Sequence, residues 1–213
     1  MVALPALLGL GATWCLAQAP ETSAAGENIL LNPGLEQAES VARIDPRYRP
    51  WAERQWDVGP LGLLPAGWDG YPAPNSYGIL TLLRGVDQVM EGEQCLRLDF
   101  DRLEGTSNLS NAGTANRRVG RYRVGLWVRG HNAGCHVAFI QYDAAGGAGY
   151  CQGALTDVVV PEEWTWLTGE MAPTRADISV MLFILVGWRD PQTPEGADSF
   201  LCVDGVSAEY LGR

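Results

Sequence analysis

The chain has 213 residues, 46% of them hydrophobic, and carries a net charge of −10 with no cluster of basic residues. This length allows one domain with a substantial core and is short for two. An acidic surface disfavours nucleic acid and anionic membranes as partners, because phosphate binding requires clustered cations. The 26 Gly, 13 Pro and eight Trp residues favour an all-β domain with many turns.

The first 19 residues have the features of a secretory signal peptide. Residues 2–16 are largely apolar, and Ala17-Gln18-Ala19 offers a small-x-small cleavage site. The apolar run is short for a membrane span, and no second long run follows it. Residues 20–27 are small and polar, which is typical of a linker. We therefore predict a protein that is secreted or located in the periplasm or at the cell surface, with one domain at residues 28–213.

The two ends of this domain carry related patterns. Residues 28–36 are a short apolar run that feeds an Asn-Pro-Gly turn signal and ends at Glu36. The last apolar stretch, residues 199–211, carries Asp204 beside Gly205. We expect the first and last strands to pair in one sheet and to share a cation at these carboxylates.

Between the ends, the pattern is dense in β-strands. Residues 37–66 contain several Pro and Gly residues and are predicted to be irregular. Alternation of apolar and polar residues then predicts short strands. They are at 78–83, 94–100, 122–129, 135–142, 150–160, 164–171 and 178–186. About eight to ten short strands at regular spacing indicate a β-sandwich.

Without the signal peptide, the chain retains four cysteines, and export permits disulfides. Three pairings are possible. Cys135 and Cys151 flank a predicted hairpin with a glycine-rich turn at residues 143–149, which favours that bridge and leaves Cys95 with Cys202. The alternative is four buried free thiols.

Several short motifs occur in an order that is seen in a known group of binding domains. They are Asn28-Ile29-Leu30, Asn32-Pro33-Gly34-Leu35-Glu36, Gly67-Trp68, residues 92–98, residues 122–129, Trp164, and Val203-Asp204-Gly205-Val206. Over residues 28–211 the chain resembles carbohydrate-binding modules of the family 4, 9, 16 and 22 type. The resemblance implies a β-sandwich jelly-roll of the galactose-binding-like type. The chain departs from it at Leu35, where Phe is usual, and at Gly205, where a second Asp is usual.

The resemblance also implies a structural Ca²⁺ where the first and last strands meet. Ca²⁺ prefers several oxygen ligands from carboxylates and backbone carbonyls. On this basis Glu36 and Asp204 are assigned as side-chain ligands, with backbone oxygens from around Asn32, Gly34 and Glu93. The alternative is that the two acids are solvated groups at strand ends.

A carbohydrate site needs flat aromatic side chains for the apolar faces of sugar rings and hydrogen-bonding groups for the hydroxyls. Trp127 is the strongest candidate, because alternation places it opposite an apolar face of its strand. The residues expected to assist it are Arg123 and Arg129 on the same face, Tyr142 and Tyr150 beside the glycine-rich turn, and Trp56 in a loop. The alternative is that residues 37–66 fold over Trp127 and bury it.

Catalysis finds little support in the sequence. His131 and His136 are the only histidines, their spacing suggests no Ser-His-Asp arrangement, and nothing selects a pair of carboxylates. We therefore predict a non-catalytic secreted module that recognises a polysaccharide, within a larger secreted glycan-active system. Two other readings stay open: a structural or interaction β-sandwich without a sugar site, and a small glycoside hydrolase or lyase.

Overall fold

The computed structural model describes residues 26–40, 56–58, 63–72, 78–85, 87–100, 106–111, 119–145 and 150–213. Within them the chain forms thirteen strands and no helix, and hence no helix that is long and apolar enough to cross a membrane. The strands are β1 (Ala38–Ser40), β2 (Trp56–Val58), β3 (Leu63–Pro65), β4 (Trp68–Pro72), β5 (Gly78–Arg84), β6 (Gln94–Phe100), β7 (Thr106–Asn111), β8 (Arg121–His131), β9 (Ala133–Asp143), β10 (Tyr150–Val159), β11 (Thr165–Met171), β12 (Ile178–Arg189) and β13 (Phe200–Gly212). The predicted signal peptide and nearly all of the linker lie outside the described residues.

The strands form a sandwich of two large sheets. The five-stranded sheet has the order β10-β9-β12-β7-β4, and the six-stranded sheet has the order β11-β8-β13-β6-β5-β2. Neighbours pair antiparallel, except that β2 runs parallel to β5. β1 and β3 form a separate two-stranded pair. The predicted all-β sandwich is therefore confirmed.

The core lies between the two sheets and follows the alternation of their strands. On β8, Tyr122, Val124 and Leu126 are no more than 1% exposed. Tyr122 stacks on Phe139 of the opposite sheet, with ring centroids 4.9 Å apart, and Phe139 packs edge-on against Phe183. The predicted inner face of this strand is thus confirmed, and its odd-numbered residues point away from the core.

The sequence located β6 at its observed bounds but missed two strands of the five-stranded sheet. β7 is the sequence Thr-Ser-Asn-Leu-Ser-Asn, in which Leu109 is the only large apolar residue. β4 contains Gly70 and Pro72, which weaken a strand pattern, and Pro is tolerated there because β4 is an edge strand. β7 depends on pairing with β12, and β4 on pairing with β7, more than on their own composition.

The first strand predicted at the start of residues 28–36 is not formed, although the contact of this segment with the last strand is found. Only an isolated bridge joins Asn28 to Glu209, and Ile29 N donates to Ala208 O at 2.9 Å. The amide of Asn28 contacts the last strand through Val206 O and Ala208 N. Side-chain amides thus satisfy backbone groups that a regular strand would satisfy through its ladder.

The predicted bridge between Cys135 and Cys151 is also wrong. Cys135 pairs with Val158, whereas Cys151 pairs with Ile140, so the two cysteines are five residues apart along the sheet. Five residues of extended strand span about 16 Å, far beyond the reach of a disulfide. Cys135 is a free, buried thiol.

Cys95 and Cys202, the second predicted pair, are also free thiols, and both are fully buried. They lie on the neighbouring strands β6 and β13 and contact each other. A hydrogen bond from Cys95 lowers the pKa of Cys202, and nearby Arg129 acts in the same direction. The structure therefore shows the predicted proximity without a bond between the two sulfur atoms.

Candidate functional site

Two tryptophans lie side by side on the outer face of the six-stranded sheet. Trp127 of β8 and Trp166 of β11 are directly opposite each other in the register. Their ring centroids are 5.4 Å apart, and their planes are inclined by 62°. Trp127 is half-buried, and Trp166 is 42% exposed although it is a large apolar side chain. We call this pair the tryptophan platform.

Glycines under the platform leave room for both rings. A Cβ atom at Gly125 would come within 2.2 Å of Cζ2 of Trp166, so the Trp166 ring lies over bare backbone. A Cβ atom at Gly205 would come within 3.1 Å of Cδ1 of Trp127. Gly205 has a φ of 48°, in the left-handed region that favours glycine, and a bulge follows Asp204 in β13.

Polar groups border the platform on two sides. On one side, Nε1 of Trp127 donates a hydrogen bond to Oε1 of Glu91 at 2.8 Å. On the other, Arg123 donates to Glu170 at 3.0 Å and lies 3.9 Å from Glu209. Hydrogen bonds from Arg123 and then Arg121 lower the pKa of Glu170. The charges around Arg123 therefore largely neutralise one another, whereas the carboxylate of Glu91 is bound by a neutral indole.

Trp127, Arg123 and Arg129 share the outer face of β8, as the alternation predicted, and both Trp127 and Arg129 are half-buried there. Arg123 is exposed. Arg129 packs its guanidinium over the ring of Trp164, 5.2 Å from the centroid, and donates to Gln88 O at 3.5 Å. Arg129 is therefore engaged within the protein.

The other predicted binding residues lie elsewhere. Tyr142 is on β9 and Tyr150 on β10, both in the five-stranded sheet, so neither can line the same surface as Trp127. Trp56 is on β2 at the far edge of the six-stranded sheet, four strands from β8, which is about 19 Å. The side chains of Tyr150 and Trp56 are outside the described part of the structure.

Sequence reasoning missed Trp166 and Glu91. A signal for Trp166 existed, because Trp166, Thr168 and Glu170 alternate with Leu167 and Met171, which packs in the core. Glu91 has no such signal, because it lies in the turn between β5 and β6 and reaches Trp127 only through the fold.

Asp204, one of the two proposed calcium ligands, is fully buried and bound by backbone amides. Its Oδ2 accepts hydrogen bonds from the N–H groups of Met90 and Glu91, both at 2.9 Å. Its Oδ1 accepts one from the N–H of Gly205 at 2.8 Å. Burial raises the pKa of Asp204, these amides act against that rise, and Glu36 adds to it.

The remaining proposed ligands are bound in a similar way. Both carboxylate oxygens of Glu36 accept a hydrogen bond from the N–H of Glu93 at 3.1 Å. Glu93 therefore contacts Glu36 through its backbone N–H. The backbone oxygen of Asn32 accepts from Leu35 N at 3.0 Å and from Nε1 of Trp68 at 3.2 Å. Gly34 is half-buried in the same turn.

Backbone amides use much of the acceptor capacity of Asp204. A carboxylate has about four lone-pair positions, and amides occupy three of those on Asp204. Each N–H group points its positive end at a carboxylate oxygen. These amides therefore stabilise the charged carboxylate without a cation. In the described part of the chain, no group of three or more His, Cys, Asp or Glu side chains is arranged to hold a metal. Calcium binding itself is not tested by these contacts and stays a prediction.

Comparison with solved structures identifies the architecture. The CBM22-1 xylan-binding domain of Xyn10C from Paenibacillus barcinonensis is 12% identical, with 90% of this chain and 99% of that chain covered and a TM-score of 0.51. The CBM22-1–CBM22-2 tandem domain of the same protein gives 12% identity, coverage of 91% and 48%, and a TM-score of 0.51. The fold is that of the carbohydrate-binding-module β-sandwiches.

A third similar structure is the enzymatically active domain of tailspike protein 4 from bacteriophage CBA120. It is 8% identical, with 68% of this chain and 19% of that chain covered and a TM-score of 0.52. No protein-family model matches the chain, and no curated protein matches it. At such low identities the similarity establishes the fold, and the function must be argued from the site.

Proposed function

We propose that this protein is a carbohydrate-binding module that binds a polysaccharide on the tryptophan platform. The observation that carries the proposal is the contact between Trp127 and Trp166 on an outer sheet face, where Trp166 is 42% exposed. Large aromatic rings are normally buried, and their retention at a surface indicates a binding role. An indole ring matches the apolar C–H face of a sugar ring, and the bordering carboxylates and guanidinium match its hydroxyls.

The fold supports this proposal, because a structure with the same architecture is described as a xylan-binding domain. The near-neutral surroundings of the platform favour an uncharged glycan over an acidic one. Arg123 is the exposed cation of β8 that lies closest to Trp127 along the strand. It lies between Glu170 and Glu209, and these two carboxylates offset its attraction for an anion.

We propose further that the protein is non-catalytic. His131 and His136 lie in different sheets, so they do not form one site. His131 lies 2.7 Å from Glu162, and burial lowers the pKa of His136. Among the described residues, the two histidines are therefore not brought together for acid–base chemistry.

The proposal is tested by native gel electrophoresis in soluble xylan, β-glucan and galactan, followed by calorimetry with the oligosaccharides of any polysaccharide that retards the protein. We expect Trp127→Ala and Trp166→Ala each to weaken binding by about tenfold or more, because truncating a central Trp typically costs that much. The matched control is Trp188→Ala. Trp188 is a half-buried tryptophan that lies over Gly134 on the outer face of the other sheet.

Each outcome decides between the readings. Loss of binding in Trp188→Ala, with Trp127→Ala unaffected, would move the site to the five-stranded sheet. No retardation by any polysaccharide would leave an interaction module without a sugar site. Release of reducing sugars or unsaturated products would identify an enzyme.

We also propose that residues 1–19 direct export of the protein. In this proposal the exported module acts within a larger secreted glycan-active system. The signal peptide rests on the sequence pattern alone. Expression of the full chain with its own N-terminus, followed by N-terminal sequencing of the mature protein, tests it. We expect the mature protein to begin at Pro20, and an uncleaved N-terminus in a secretion-competent host would contradict export.

A further inference from the structure

The turn between β5 and β6 is clamped by two carboxylates from the ends of the domain. Asp204 in β13 accepts the N–H groups of Met90 and Glu91, both at 2.9 Å. Glu36, from the N-terminal segment, accepts the N–H of Glu93. A carboxylate that accepts backbone amides makes strong, directional hydrogen bonds. The backbone on both sides of Gly92 is therefore held at fixed points of the sandwich.

This clamped turn places the side chain of Glu91 at the edge of the tryptophan platform. Oε1 of Glu91 accepts the indole N–H of Trp127 at 2.8 Å. Its other oxygen, Oε2, lies above Gly205, where a Cβ atom would be 3.0 Å from it. The same Cβ atom would be 3.1 Å from Trp127, so the bare backbone of Gly205 leaves the space in which both side chains meet.

Packing alone holds the ring of Trp127 only in part. It is half-buried, its contact with Trp166 is edge-on, and the indole N–H is its one polar atom. A hydrogen bond to a charged acceptor fixes the rotation of the ring about its side-chain bonds. Fixing a side chain before a ligand arrives removes an ordering cost from binding.

We propose that Glu91 is a positioning residue that sets the orientation of Trp127, and that Asp204 acts through the turn to hold Glu91 in place. Oε2 of Glu91, which has no hydrogen-bond partner among the described residues, then faces the platform as an acceptor for a ligand hydroxyl. The effect on ligand binding rests on the proposed function. The orientation of Trp127 does not, and it can be measured without any ligand.

The test compares Glu91→Ala, Glu91→Gln and the control Glu93→Ala. Glu93 is an exposed acid in the same turn, so Glu93→Ala removes the same charge but leaves the bond to Trp127 intact. The readout is the indole N–H resonance of Trp127 in a nitrogen–proton spectrum, assigned by its absence in Trp127→Phe. We expect Glu91→Ala to move this resonance upfield. Glu91→Gln keeps an oxygen acceptor and should restore most of the shift.

Glu91→Ala should also lower the affinity for the polysaccharide by about two- to tenfold, which corresponds to the cost of ordering one side chain. Glu91→Gln keeps the acceptor for Trp127 and replaces Oε2 by an amide donor. Because Trp127 stays in position, Glu91→Gln should weaken binding less than Glu91→Ala does. Asp204→Asn should speed hydrogen exchange at the amides of Met90 and Glu91 and shift the Trp127 resonance in the same direction as Glu91→Ala.

A Trp127 resonance that responds equally to Glu91→Ala and Glu93→Ala would overturn the positioning role. This holds even if Asp204→Asn fails to fold, because the Glu91 variants change a surface side chain. If the resonance shifts as expected but no polysaccharide binds the unchanged protein, the positioning role stands and the proposed function fails.

Discussion

The terminal junction, which is residues 28–36 together with Asp204, lies beside the tryptophan platform. The two regions use polar groups in opposite ways. At the junction, side-chain oxygens of Asn28, Asn32, Glu36 and Asp204 accept hydrogen bonds from backbone N–H groups. At the platform, side chains contact other side chains, as Trp127 does with Glu91.

This difference separates anchoring from recognition. Backbone groups have fixed positions, so side chains that bind them tie distant parts of the chain together and leave little free for a ligand. Side-chain pairs at a surface are more easily rearranged, and a ligand can displace or join them. Asp204 stands at the boundary, since it pairs with Trp127 in the register and yet binds backbone amides.

The largest expected effect is on the junction. Asp204→Ala removes a fully buried carboxylate and leaves three part-buried backbone N–H groups without their acceptor. We expect a loss of about 3 kcal/mol or more in the free energy of unfolding, because each buried unsatisfied donor costs about 1–3 kcal/mol. Urea unfolding followed by fluorescence measures it.

The control for that variant is Asp190→Ala. Asp190 also accepts a backbone N–H, that of Gln192 at 2.8 Å, but in an exposed turn where water can replace it. Its loss should cost about 1 kcal/mol or less. Equal effects of the two substitutions would mean that Asp204 is not an anchor and that the distinction between the two regions is false.

The second largest expected effect is on stability, and it differs between two glycines of the neighbouring strands β11 and β8. At Gly169 of β11, a Cβ atom would come within 2.2 Å of the backbone oxygen of Ala154, which cannot move freely. At Gly125, the obstructing group is the exposed ring of Trp166. We expect Gly169→Ala to cost about 1–3 kcal/mol in unfolding free energy, as overpacking typically does, and Gly125→Ala to cost less.

The binding measurement should show the reverse order. Gly125→Ala displaces the ring of Trp166 and should weaken polysaccharide binding, whereas folded Gly169→Ala should bind normally. If Gly125→Ala keeps full affinity, the position of the Trp166 ring over the backbone has no role in recognition.

A smaller effect concerns the ion pairs beside the platform. Because Arg123 is the main cause of the lowered pKa of Glu170, Arg123→Gln should raise that pKa toward its ordinary value of 4.5. A lowered carboxyl pKa adds stability above the ordinary pKa, and this is lost as the pH falls through the folded-state value. In Arg123→Gln, the free energy of unfolding should therefore depend slightly less on pH in the acid range.

A carboxyl NMR titration of Glu170 checks the pKa, and thermal melts between pH 3 and pH 7 check the stability. Arg175→Gln provides the comparison, because Arg175 lowers the pKa of Asp177 in the same way but far along the chain from the platform. A Glu170 titration that is unchanged in Arg123→Gln would show that the pair does not form in solution.

The smallest expected effect is that of metal removal. Because amides already occupy three acceptor positions of Asp204, we expect the predicted Ca²⁺ to bind weakly and a chelator to lower the melting temperature only slightly. A ligand bound only by the folded state would stabilise it in proportion to its concentration. A melting temperature that changes neither with chelator nor in Glu36→Gln would remove the cation from the junction.

Local pattern was sufficient for much of this fold. The strict alternation in β8 predicted which residues face the core and that Trp127 faces outward, because successive side chains of any strand point to opposite faces. The same reasoning located β6 and predicted a sandwich. It failed at residues 28–31, where side-chain amides replace the strand ladder.

Only the tertiary structure decided which residues meet. Pairing of β11 with β8 brings Trp166 opposite Trp127, and pairing of β13 with β8 brings Asp204 to the same row. Register of this kind depends on contacts between residues far apart in the chain, so no local window contains it. For the same reason the sequence could not show that the backbone of one distant turn contacts both Asp204 and Glu36.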